Sequence, residues 1–85
     1  MLHYWNGRPV RWFQSARRHR IGRAHALHVM LTTKPTLIPG DEQADQRLAW
    51  IGVDDRGLEL EIVALVLADT LVVIHVMPTA LRSHQ

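Results

Sequence analysis

Arg47-Leu48-Ala49-Trp50-Ile51-Gly52-Val53, then Asp54-Asp55-Arg56-Gly57, then Leu58-Glu59-Leu60-Glu61-Ile62-Val63-Ala64-Leu65-Val66-Leu67, then Ala68-Asp69-Thr70, then Leu71-Val72-Val73-Ile74-His75-Val76-Met77 is the stretch that decides the fold class. It alternates apolar runs rich in Val, Ile and Leu with short polar breaks, which is the pattern of strands joined by turns. Asp54 to Gly57 reads as a tight turn in which Gly57 takes the φ > 0 position of a type I turn plus bulge. Glu59 and Glu61 alternate with Leu58, Leu60 and Ile62, so the first half of the middle strand has one wet face. Pro78 has no N–H to give a ladder and closes the last strand. Three strands in this order form an antiparallel meander. Simple alternation along the third strand puts His75 on the face of Leu71, Val73 and Met77.

Upstream of the meander the signals are helical. Ser15 is placed to cap a short basic helix over Ala16 to Arg20, and Gly22 either ends that helix or caps the next. A second helix is expected from about Arg23 to Leu31, with Ala24, Leu27 and Leu31 on one stripe and Ile21 at its head, stopped by Thr32-Thr33 and Pro35. That stripe should lie on the sheet. Nearer the N-terminus, Asn6-Gly7 is a hairpin dipeptide between Leu2–Trp5 and Val10–Phe13, and Pro9 should confine the second arm to an edge. Gly40 to Gln46 is a polar connection. The fold class expected is therefore α+β, a single domain over residues 1–85 with two short N-terminal helices packed on a small antiparallel β-meander; residues 1–12 form a hairpin or extension.

Charge adds a second layer. The first forty residues hold seven Lys or Arg and no acid, whereas all eight acids lie between Asp41 and Asp69. The halves carry formally +7 and 3 − 8 = −5, which sum to the modest +2 of the whole chain. Segregation of this kind builds a local field that concentrates polyanions, and nine of the ten cations are Arg, whose planar fork grips phosphate in two places. With no cysteine, disulfides, thiolate zinc sites and cysteine nucleophiles are excluded, which suits a cytoplasmic location. The longest apolar run, Ile62 to Ala68, is far short of the roughly 20 residues a membrane helix needs, and no signal-peptide core is visible. A chain this short has a thin core, which a second copy or another partner would complete.

Six histidines in 85 residues supply the natural proton-transfer group near neutral pH. His19, flanked by Arg17, Arg18, Arg20 and Arg23, is the most site-like. His75 falls near a strand end, where active sites often lie, and equally fits a hydrogen-bonded core position. His28 reads as a core histidine on the helix stripe. His25 and His28 have the i, i+3 spacing of a metal pair, but no third ligand suggests itself. His3 and His84 read as frayed terminal residues. Tyr4, Trp5, Trp12 and Phe13, interleaved with Arg8 and Arg11, have a composition that stacks on unpaired bases, although in so small a domain they fit a core better.

The run Ser15-Ala16-Arg17-Arg18-His19-Arg20-Ile21-Gly22-Arg23-Ala24-His25 resembles the K-H-G-[VI]-S-x-x-x-A helix pair of the BrnT group of small bacterial toxins, which share a RelE-like fold. Trp50 to Leu60 is similar to that group's x-I-G-x-x-x-x-G-R-x-L hairpin. The resemblance spans about residues 13 to 82. Arg20 stands where the group has glycine after the histidine, and its N-terminal Trp-Asp segment is not matched. The resemblance implies the toxin of a type II toxin-antitoxin pair, a metal-independent ribonuclease that needs no cofactor, inhibits translation by cutting RNA, and is neutralised in a hetero-oligomer by a cognate antitoxin. In that reading Arg17, Arg18, Arg20 and Arg23 bind RNA phosphates, His19, His25 and His75 are the candidates for proton transfer, and Arg82 holds the scissile phosphate. Two other readings fit the residues: a non-catalytic basic module binding nucleic acid or an acidic protein, and a structural domain completed by dimerisation.

Overall fold

A computed structural model describes residues 3–84, with side chains as far as Leu81. It contains one α-helix and six strands: β1 (His3–Trp5), β2 (Arg8–Trp12), α1 (Arg23–Thr32), β3 (Thr36–Ile38), β4 (Arg47–Val53), β5 (Glu59–Val66) and β6 (Leu71–Pro78). Short 3₁₀ turns cover Gln14–Arg17 and Thr79–His84. All six strands join one sheet in the order β1-β2-β6-β5-β4-β3. The meander stands as expected, but two N-terminal helices on a small antiparallel sheet do not. The sheet is mixed and twice as many strands wide, and among the described residues a single α-helix lies against it.

The N-terminal hairpin accounts for much of the difference. Asn6 and Gly7 have φ of 50° and 79°, the paired left-handed conformation that matches strand twist in a two-residue loop. β2 is not an edge, as Pro9 suggested: it pairs parallel with β6 through Val10↔Leu71, Arg11↔Val72 and Trp12↔Val73. Pro9 lies ahead of those pairs, so its missing donor costs no rung. The strand that the sequence pattern does not indicate, β3, is three residues between Pro35 and Pro39. The prolines blunt the edge it exposes.

The first expected helix is replaced by the 3₁₀ turn over Gln14–Arg17. Ser15 does not cap it. Its Oγ donates to the Ile74 carbonyl at 2.7 Å instead, and Arg20 turns the chain with φ 56°. An extended Gly22 then starts α1. The stripe that α1 buries is Ala26, Val29 and Met30; Ala24 is exposed, and Leu31 is 67% exposed. The i, i+3, i+4 spacing of Ala26, Val29 and Met30 is as regular as that of the stripe expected, and Val29 and Met30 each gain roughly 1.5–3 kcal/mol from full burial.

The register Trp50↔Ile62↔Val76 puts these residues on the face beneath α1, with Leu60, Ala64, Leu71 and Val73. Trp50 is wholly buried and meets Trp5 edge to face at 5.3 Å, while Trp5 Nε1–H donates to the Met30 carbonyl at 2.9 Å. Gly52 is where α1's C-terminal end crosses β4: a Cβ there would lie 2.1 Å from Thr33 Oγ1. The opposite face of the sheet, hereafter the outer face, is covered by no α-helix among the described residues.

Candidate active site

An extra residue in β6 creates the site. Val63 pairs with His75 but Ala64 pairs with Val73, so Ile74 has no partner opposite it and bulges. A bulge shifts the two-residue alternation by one. His75 and Met77 therefore leave the face of Leu71 and Val73, where strict alternation placed them, and join Val63 and Glu61 on the outer face. The bulge is braced from the side. Phe13 N–H donates to the Val73 carbonyl at 2.9 Å and Ser15 Oγ to that of Ile74, so the chain after β2 runs alongside β6 where β2 itself has ended.

The space between this segment and the outer face is a cleft of about 680 Å³ lined by Ser15, Arg18, His19, Glu61, Ile74, His75, Met77 and Leu81. Its size suits a small ligand or part of a polymer. His75 Nε2 lies 3.1 Å from Glu61 Oε2. When Nε2 carries the proton it donates to the carboxylate, which fixes the ring and leaves Nδ1 as the basic nitrogen. His19 is half-buried on the opposite wall, and Arg18 beside it is exposed. Two imidazoles, one with its own carboxylate, and a guanidinium thus share one open concavity.

A second concavity, of about 520 Å³, lies on the helix side, bounded by Trp12, Ala16, Arg17, Arg20, Ile21, Gly22 and Arg23. The Arg23 guanidinium sits 5.8 Å over the Trp12 ring, and Trp12 Nε1–H is buried without an acceptor among the described residues. Among the described residues no carboxylate pairs with Arg17, Arg18, Arg20 or Arg23. The basic stretch is thus divided by the 3₁₀ turn and the left-handed Arg20: Arg18 and His19 go to the cleft, and Arg17, Arg20 and Arg23 to the second concavity.

His25 belongs to neither. Its Nδ1 is 2.5 Å from Asp55 Oδ1, at the turn between β4 and β5. His25, Asp54 and Asp55 bring potential ligand atoms within 4.8 Å of one another, supplying the further partners that the His25/His28 spacing lacked. Asp54 has little left for a metal. Its Oδ1 accepts the N–H groups of Arg56 and Leu58, and its Oδ2 accepts Nε and Nη2 of Arg56. Burial pushes the Asp54 carboxyl up, but these bonds outweigh it and hold the pKa down to about 2. The bond from His25 lowers that of Asp55. The group fastens the helix to the turn.

His28 is half-buried, and His3 packs edge-on against Trp12 at 5.9 Å and is not frayed. The side chains of Arg82 and His84 lie outside the described residues. Of the aromatics, Trp5, Trp12 and Trp50 pack in or against the core, whereas Tyr4 and Phe13 are exposed. The residues that sequence reasoning missed are Glu61, taken as an ordinary solvated acid, and Ser15, taken as a helix cap. Glu61 meets His75 only through the register of β5 on a bulged β6, which no local pattern announces.

No protein-family model matches the chain, and comparison with curated proteins and with solved structures likewise finds no match. The resemblance to BrnT toxins rests on its motif residues alone.

Proposed function

We propose that the protein is a ribonuclease that cleaves RNA by general acid–base chemistry in the outer-face cleft, and that it acts as the toxin of a type II toxin-antitoxin pair. The observation that carries this reading is the meeting of His19, His75 with its Glu61 partner, and Arg18 in one open concavity. RNA cleavage needs a base to take the 2′-hydroxyl proton, an acid to protonate the departing 5′-oxygen, and positive charge for the phosphate in the transition state. His75, oriented by Glu61, takes the first role through Nδ1. His19 takes the second, and Arg18 neutralises charge growing on the phosphate. These steps call for no metal. Arg17, Arg20 and Arg23 hold the flanking backbone, and Arg82, next after Leu81 in the chain, is retained as a ligand for the scissile phosphate. His25 drops out of the acid–base pair because Asp55 holds it at a distant turn. An antitoxin would silence the enzyme by covering the cleft.

The test is cleavage of a labelled RNA in chelator-treated buffer. His75→Ala and His19→Ala should each lower kcat by on the order of 10²-fold, with melting temperature unchanged. Full cleavage by the double variant would end the catalytic reading. The second concavity favours one alternative, a phosphate-binding module without catalysis. Salt-sensitive RNA binding with no cleavage by the intact protein would select it.

A further inference from the structure

The outer face continues beyond the cleft. On that face, Arg11 of β2 neighbours Val72 of β6, Val72 neighbours Leu65 of β5, and Leu65 neighbours Arg47 of β4. This row crosses four strands with an arginine at each end and an apolar floor between. It lies one side-chain row from Val63 and His75, about 7 Å along β5. A shallow groove of about 450 Å³ is cut here by Arg11, Trp12, Phe13, Leu65, Leu67 and Val72. Phe13 stands 58% exposed at its margin, although its backbone is pinned to Val73. Among the described residues, exposed Arg11 has no carboxylate partner and Arg47 Nε–H has no acceptor. The acids of this face, Glu59 and Glu61, lie at the cleft end and beyond it.

We infer that this groove is a nucleotide subsite, in which an unpaired base of RNA stacks on Phe13 over the floor of Leu65 and Val72 while Arg11 and Arg47 hold its phosphates. The inference rests on the ribonuclease reading for its choice of ligand. A flat apolar floor with an exposed ring suits the π-face of any base, and the flanking guanidiniums suit the charge of the backbone that joins successive bases. Continuity along β6, from Val72 in the groove to His75 in the cleft, sets the base one step from the bond to be cut. Stacking without hydrogen-bonding groups tolerates every base, so the subsite contributes affinity and register more than sequence choice.

The experiment uses the full chain and a fluorescent 2′-deoxy hexanucleotide, which lacks the attacking hydroxyl and so reports binding alone. Phe13→Ala should weaken binding on the order of tenfold, and Phe13→Trp should preserve it. Arg11→Gln should reduce the slope of log K against log salt by about 0.7. With RNA as substrate, the Phe13→Ala defect should fall on KM and not on kcat. Hexanucleotide binding that is indifferent to Phe13→Ala overturns the inference, and if RNA is still cleaved the ribonuclease reading survives it. Phe13-dependent binding by a protein that cuts no RNA upholds the groove and removes the nuclease. If Phe13→Ala instead abolishes self-association in sedimentation and leaves binding untouched, the groove joins two copies of the chain and the inference fails.

Discussion

Replacing Arg17, Arg20 and Arg23 together by glutamine tests the proposed binding of RNA at the second concavity. The four arginines of the basic stretch lack carboxylate partners among the described residues, three of them around that concavity and Arg18 in the cleft. Each phosphate neutralised on a single strand contributes about −0.7 to the slope of log K against log salt, so four give a slope of about −2.8. A fourfold rise in salt should then weaken binding about 50-fold. The triple variant keeps only Arg18 of this set; its slope should fall to about −0.7, and the same salt step should cost about 2.6-fold. Contacts by Arg11 and Arg47 would add equally to both slopes and leave the difference of about 2.1 unchanged. All three side chains are exposed, and losing Arg23 from the Trp12 ring costs roughly 0.5–1 kcal/mol while relieving a cation at a helix N-terminus, so the fold should survive. The assay is fluorescence anisotropy with a non-cleavable oligonucleotide across a salt series. A triple variant with the wild-type slope would show that RNA does not reach these arginines and refute the division of the basic stretch into two phosphate-binding surfaces.

Gly52→Ala should destabilise the fold by roughly 1–3 kcal/mol in chemical denaturation, because the new methyl meets Thr33; Thr33→Ala in the same chain should restore part of the loss, and full stability of Gly52→Ala alone would contradict the close crossing. Asp54 has a folded pKa of about 2, below its ordinary value of 3.8, so its stabilising contribution is complete above the ordinary value and fades as pH falls through the folded one. Asp54→Asn should therefore lower stability at neutral pH and flatten the fall of stability between about pH 4 and 2; an unchanged acid limb in pH-dependent melts would remove Asp54 as its source. Glu61→Gln should reduce kcat with little change in KM and by less than His75→Ala, whereas equal activity would show that the carboxylate does not orient the ring.

How far these features could be read in advance depends on whether their cause is local. β4, β5 and β6 were legible because period-two patterning and turn residues act over a few positions, and Gly57 takes φ 87° as its turn requires. The Asn6-Gly7 hairpin was legible for the same reason. Its docking was not, since the parallel pairing of β2 with β6 joins residues some sixty apart in sequence. The basic segment misled because a serine before charged helix formers satisfies the rules of capping, yet Ser15 finds a better acceptor in Ile74, on a strand far along the chain. His19 and His75 were both read as candidates, but what brings them to one cleft is the bulge at Ile74, and a single unpartnered residue leaves no periodic trace. Their neighbour Glu61 was invisible for that reason too.

The parallel seam between β2 and β6 has a consequence for synthesis. A ribosome delivers the first hairpin and the arginine segment long before the strand that holds them in place, so neither can settle until the last ladder has emerged. Both walls of the cleft come from opposite ends of that interval. A chain interrupted before β6 would carry all the charge of the basic segment and none of the cleft's geometry. On the proposed ribonuclease reading, cutting power is withheld until β6 has been made.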